Sequence, residues 1–159
     1  NYEVKCLNFS EEVKILSSID GNAHNRHHFR NKDVLRTLDF GFHNDSGYIL
    51  QRIDSTDMNT CLAVKHEVQK ADDQYRVQET SGRNTIVFEY KYQAEPGESF
   101  TLNKFMTTYT SQDIARERLI PRTFNSLEKI EDIGFNKLVE KQSQFLADYW
   151  SAVDVVVEG

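Results

Sequence analysis

An antiparallel β-sandwich followed by C-terminal helices is the fold class that the sequence predicts, on three observations. Apolar residues alternate with polar ones in several short segments before residue 110, which is the period of half-buried strands. After Ser126 the apolar spacing changes to steps of three and four, the period of an amphipathic helix. Strands first and helices last argue against alternating βαβ units and for a sandwich with helices appended at its end.

Each element follows from local pattern. Val13, Ile15 and Ile19 alternate with Lys14 and Ser18, so residues 11–19 read as a strand ending at the turn residues Asp20-Gly21-Asn22. After Asp45-Ser46-Gly47, the segment 48–53 has apolar groups on both faces, as an inner strand covered on both sides would. Leu62, Val64 and Val68 share a face with His66 while Lys65, Glu67 and Gln69 share the other, the pattern of a strand with one wet side. Ile86, Phe88, Tyr90 and Tyr92 repeat it against Glu89, Lys91 and Gln93. Glu95-Pro96-Gly97-Glu98 places Pro and Gly where a type II turn wants them, and predicts a hairpin between 85–93 and the strand 99–109. Thr110 and Asp113 form a near capping box for a short helix over 112–119, stopped by Pro121. The stripe Leu127, Ile130, Phe135, Leu138, Phe145, Leu146, Tyr149 and Trp150 predicts a long helix with a break or kink at Gly134. Val153 to Glu158 return to β-branched character.

Composition narrows the function classes. The 159 residues fit one ordinary domain able to bury a core. With 19 basic and 25 acidic residues the net charge is −6, and the bases are scattered, which speaks against a nucleic-acid partner. No apolar run approaches the length of a membrane span, and no signal-peptide pattern opens the chain. Cys6 and Cys61 sit in separate strand-like segments without disulfide or metal spacing, so a cytoplasmic location is expected.

Several short motifs then succeed one another: Tyr2 to Asn8 (YEVKCLN), Ile19-Asp20-Gly21 with Asn25 (IDGNAHN), Thr37 to Phe42 (TLDFGF), Phe88 to Asp113 (FEYKYQAEPGESFTLNKFMTTYTSQD), Gly134-Phe135 and Trp150 to Gly159 (WSAVDVVVEG). In this order they resemble the N-terminal, non-catalytic β-domain of glycoside hydrolase family 65, the maltose, trehalose and kojibiose phosphorylases. The resemblance implies that residues 1–110 belong to a large sandwich similar to the galactose mutarotase supersandwich, and that 111–159 are a helical linker leading towards an (α/α)6 catalytic barrel that is not in this chain. It also implies the reaction of the parent protein, inverting phosphorolysis of an α-glucosidic disaccharide to β-glucose 1-phosphate and glucose. Inorganic phosphate would be the co-substrate, with no cofactor. The catalytic Glu would lie beyond Gly159, and this chain alone would support the barrel, shape its rim and help form a homodimer. The family's domain begins well before Asn1, so the strands here are expected to have unpaired edges that favour self-association.

Against that background the chain's own candidate chemistry is sparse. His24, His27 and His28 fall close together, yet no Cys or well-spaced carboxylate accompanies them, so the segment reads as a polar loop, or as one reaching the active-site rim, rather than a metal site. Phe88, Tyr90 and Tyr92 could form a sugar platform, but their face, shared with Ile86, reads as core. His66 and Glu67 are adjacent in a strand and point to opposite faces, which removes the pair a mutarotase-type epimerase would need. Asp72-Asp73 read as loop, and Glu128, Glu131 and Asp132 as a solvated helix face. The sequence therefore predicts no catalytic residue and no metal site, and leaves any carbohydrate-binding residues unassigned. The alternative is a free-standing carbohydrate-binding sandwich, which would require an exposed aromatic platform.

Overall fold

The computed structural model describes residues 1–22, 35–70 and 75–153. Eight strands come first: β1 (Tyr2–Lys5), β2 (Glu11–Asp20), β3 (Leu35–His43), β4 (Ser46–Ile53), β5 (Met58–Lys70), β6 (Tyr75–Gly82), β7 (Thr85–Ala94) and β8 (Ser99–Thr110). A 3-10 turn (Arg116–Arg118) then leads into the helices α1 (Leu119–Ile133) and α2 (Phe135–Val153). The strands form two wholly antiparallel sheets, ordered β1-β8-β5-β4-β3 and β2-β7-β6. The fold is the mainly β, two-sheet antiparallel sandwich with C-terminal helices that the sequence predicts.

Tight turns set the registers. In the β6–β7 hairpin, Gly82 faces Thr85 across Arg83 and Asn84, both in the left-handed region at φ 51° and 61°. That is the backbone of a type I′ turn, whose twist matches that of the strands it joins. The β3–β4 hairpin turns over Asn44, at φ 53°, and Asp45, with His43 facing Ser46.

The core lies between the sheets. Ile86, Phe88, Tyr90, Tyr92 and Ala94 project from β7 against Ile49, Val64, Phe100 and Leu102 of the larger sheet. Val13, Ile15 and Ile19 complete it from β2, as their alternation predicts. Tyr92 stacks on Phe100 with ring centroids 4.3 Å apart, and Phe42 meets Phe88 edge-on at 5.3 Å.

Strand β4 is covered on both sides, as its two apolar faces predict. Ile49 enters the core between the sheets, while Leu50 and Tyr48 face outward beneath α1. The outer face of β5 departs from the wet side expected of it. Cys61 and Ala63 are buried there under Leu119 and Leu127 of α1, and only towards Gln69 does that face open. The strand alone cannot show this, because the cover is a helix more than fifty residues further along the chain.

Three further expectations are corrected. Strands β7 and β8 do not form a hairpin: β7 pairs with β2 and β6, β8 with β1 and β5. The turn chemistry is nevertheless right, since Gly97 sits at φ 89° and the Glu98 N–H donates to the Glu95 carbonyl at 3.0 Å. The Gly97 N–H donates to the Cys6 carbonyl at 2.8 Å, and the Cys6 N–H to the Glu98 carbonyl at 2.9 Å. Those bonds hold the turn as a bridge between sheets.

The helix predicted over 112–119 is instead a turn plus the 3-10 segment. Asp113 does cap Thr110, accepting from its N–H at 3.1 Å and its hydroxyl at 2.8 Å, but no helix follows directly. Pro121 lies in the first turn of α1 rather than ending a helix, where its missing N–H costs nothing. Gly134 breaks the helical stretch as expected, ending α1 at φ 80° with its N–H donated to the carbonyls of Ile130 and Glu131.

Gly47 marks the tightest approach between layers. A Cβ there would lie 2.6 Å from Ile86 Cγ2 and 3.1 Å from Phe88 Cζ. Replacing Gly47 with Ala should cost about 1–3 kcal/mol through overpacking. Urea denaturation should show a lower midpoint at unchanged slope, and an unaltered midpoint would show that the sheets can separate locally.

Candidate functional site

The aromatic row singled out as a possible sugar platform is core. Phe88, Tyr90 and Tyr92 are each 5 % exposed or less. Burial is also the main reason that the phenols of Tyr90 and Tyr92 titrate above their ordinary range. A saccharide has no access to those rings.

His66 and Glu67 are separated as strand geometry requires. His66 points inward, shares a 2.8 Å hydrogen bond with Ser17 Oγ and meets the edge of Phe88 at 4.6 Å. Glu67 points outward and accepts from Asn103 Nδ2 at 2.8 Å. Burial, reinforced by the positive charge of Lys104, lowers the His66 pKa to about 4. His66 is thus a neutral, partly buried residue that packs against the edge of the core. Because its folded pKa lies below the unfolded value of 6.5, the unfolded chain binds the extra proton, and stability present above that value falls as pH drops towards 4. Stability measured by urea denaturation from pH 7.5 to pH 4.5 should decline, and His66→Gln should flatten the part of the slope below about pH 6.5; an unchanged slope would place the acid-sensitive group elsewhere.

Of the helix carboxylates, Glu131 is not merely solvated. It receives Lys65 Nζ at 2.6 Å, and Asp45 receives the same ammonium at 3.1 Å. Burial alone would depress the Lys65 pKa, but the hydrogen bonds to Glu131 and Asp45 outweigh it and raise it. Through Lys65 these ion pairs tie both the end of α1, at Glu131, and the β3–β4 turn, at Asp45, to the outer face of β5. Among the described residues no three His, Cys, Asp or Glu side chains converge on a metal position; His24, His27, His28, Asp72 and Asp73 lie outside the described residues.

The surface that stands out is on α2. Phe135 and Leu138 anchor its first turn on the cluster of Ala63, Phe105 and Leu127. Beyond them Phe145, Leu146, Tyr149, Trp150 and Val153 are exposed, Trp150 at 58 %. Leu146, Tyr149, Trp150 and Val153 occupy positions i, i+3, i+4 and i+7, so they form one continuous stripe. An aromatic-rich apolar stripe open to water is characteristic of a surface that another body covers. Of the stripe that the sequence predicts, Leu127, Ile130, Phe135 and Leu138 pack on the sandwich, while Phe145, Leu146, Tyr149 and Trp150 do not.

These features define a class: an antiparallel β-sandwich domain whose C-terminal helix carries an uncovered apolar stripe. The chain belongs to the N-terminal domain of glycosyl hydrolase family 65, whose family model matches residues 1–149. It is 29 % identical over 168 aligned positions to the alpha,alpha-trehalose phosphorylase of Thermoanaerobacter brockii, an alignment covering 100 % of this chain and 21 % of that protein. Its fold matches the solved structure of a "Putative kojibiose phosphorylase from human microbiome" with a TM-score of 0.73 at 12 % identity, over 89 % of this chain and 18 % of the other. The chain thus spans about a fifth of the length of these relatives.

Exposure of Trp150 has a direct consequence. Trp150→Ala should leave the stability of the 159-residue chain within about 0.5 kcal/mol of the parent. A loss of several kcal/mol in thermal or urea unfolding would show that the ring is covered within this chain.

Proposed function

We propose that this chain is the N-terminal structural portion of a disaccharide phosphorylase, with residues 1–110 as sandwich and 111–159 as the helical passage to a catalytic (α/α)6 barrel. The observation that carries this reading is the alignment of the whole chain with a fifth of a trehalose phosphorylase, together with the uncovered apolar stripe of α2. The barrel would take that stripe, and with it Phe145, Tyr149 and Trp150 would become interior. The reaction would be inverting phosphorolysis of an α-glucosidic disaccharide, with inorganic phosphate replacing the water of a hydrolase. β1, β2, β3 and β6 each pair on one side only among the described residues, and such edges support association into a homodimer. Two free, buried thiols, Cys6 and Cys61, support a reducing, cytoplasmic setting.

The polypeptide that carries this chain, assayed with trehalose, kojibiose and maltose, should release β-glucose 1-phosphate only when phosphate is present. In that protein Trp150→Ala should cost about 3–5 kcal/mol, since the ring would be buried against the barrel. Phosphate-independent release of glucose would instead make the parent a hydrolase, and absence of any disaccharide cleavage would overturn the reading.

A further inference from the structure

The β3–β4 hairpin and the first turns of α1 meet in a cleft that the structural role leaves unused. Its volume is about 350 Å³, and it is lined by Phe42, His43, Tyr48, Pro121, Phe124 and Glu128, with Ile120 and Asn125 beside them. The β3–β4 hairpin supplies one wall and the first turns of α1 the other.

The aromatic groups are held in place. Phe124 meets the Tyr48 ring edge-on at 5.7 Å and the His43 ring at 5.1 Å. The Tyr48 hydroxyl donates to Asp39 Oδ2 at 2.9 Å, which favours one orientation of its ring. Tyr48 stands opposite Gly41, where even a Cβ would come no closer than 3.8 Å to the ring. Asp39 lies two residues from Gly41 on the same face of β3, which puts it in reach of that hydroxyl, while Phe40 and Phe42 pack against the core and Phe42 also borders the cleft. Burial and the Asp39 hydrogen bond push the Tyr48 pKa to about 12.

We propose that this cleft is a saccharide-binding site for a neutral α-glucosyl unit. The choice of glucosyl ligand rests on the phosphorylase reading above. Aromatic surfaces accept the C–H faces of a pyranose, and the exposed Glu128 carboxylate and Asn125 amide are placed to bond its hydroxyls. No Lys or Arg lines the cleft, while Glu128 does, which disfavours a sugar phosphate or any other anion. Tyr48 and Phe124 would supply the stacking surface, Glu128 and Asn125 the polar contacts, and Asp39 the positioning of Tyr48.

The test is equilibrium binding of trehalose, kojibiose and maltose to the 159-residue chain, followed by tyrosine fluorescence and by NMR chemical shifts. Saturable binding with a dissociation constant on the order of 1 mM is expected, with shifts at Tyr48 and Phe124. Glu128→Gln and Asn125→Ala change exposed polar groups and should fold normally by circular dichroism; each should weaken binding about tenfold. Trp150→Ala should leave binding unchanged. Absence of saturable binding, binding unaffected by both cleft variants, or preference for glucose 1-phosphate or for a quaternary ammonium such as choline would overturn the site. Because phosphorolysis is assayed separately in the longer polypeptide, failure of the cleft leaves that reading standing, and failure of phosphorolysis with intact binding would separate them in the other direction.

Discussion

The larger sheet has to be covered on both faces, and the rest of the structure is arranged around that requirement. β4 and β5 carry apolar groups inward at Ile49 and Val64 and outward at Leu50, Cys61 and Ala63. Burying either face alone would leave the other wet, at a cost that scales with the apolar area exposed. The aromatic row of β7 closes the inner face and α1 the outer one. The Tyr109 hydroxyl shares a 2.9 Å hydrogen bond with Ser126 Oγ, and Thr107 donates to the Thr123 carbonyl at 3.0 Å. With the Lys65–Glu131 pair, these polar links fix the rotation of α1 on the sheet, so that Leu119, Thr123 and Leu127 are the residues pressed against it.

Much of the sandwich could be read from the sequence because alternation is a local signal. The strands around Val13–Ile19, Ile86–Tyr92 and Leu62–Val68 each show their buried face in their own residues, and the structure buries those faces. Pairing is less legible. The Pro96-Gly97 turn looks like a hairpin turn, yet whether the strands leaving it join one sheet or two depends on Cys6, which bonds the turn from ninety residues away. The short edge strand β1 and the polar β6, whose residues after Tyr75 are exposed, carry too weak an apolar pattern to be recognised without their partners. Likewise Pro121 reads as a terminator in isolation. Only the tertiary position of Leu119 in the core shows that the helix begins just before it.

Of the candidate sites, what the sequence excluded was clearer than what it supplied. Period-two geometry was enough to part His66 from Glu67, and company with Ile86 was enough to bury Tyr90 and Tyr92. The cleft beside Tyr48 had no such signal, since its walls come from two segments some eighty residues apart and meet only when α1 lies on the sheet. Its one trace was the TLDFGF motif, which identifies a family resemblance without saying what Asp39 and Gly41 do.

The two C-terminal helices differ in how much order the sandwich lends them. α1 has sheet beneath it along its length, whereas α2 has support only at Phe135 and Leu138. Past that anchor, residues 139–153 form a helix with no buried residue. A helix of that length is marginal in water when nothing packs on it, so its order and its attachment to a neighbour are thermodynamically one event. Any body that covers Leu146, Tyr149, Trp150 and Val153 would stabilise the helix it binds, and that helix is anchored directly on the sheet through Phe135 and Leu138. The sandwich thus carries at its C-terminal end a helix held at one end only, with its apolar stripe exposed.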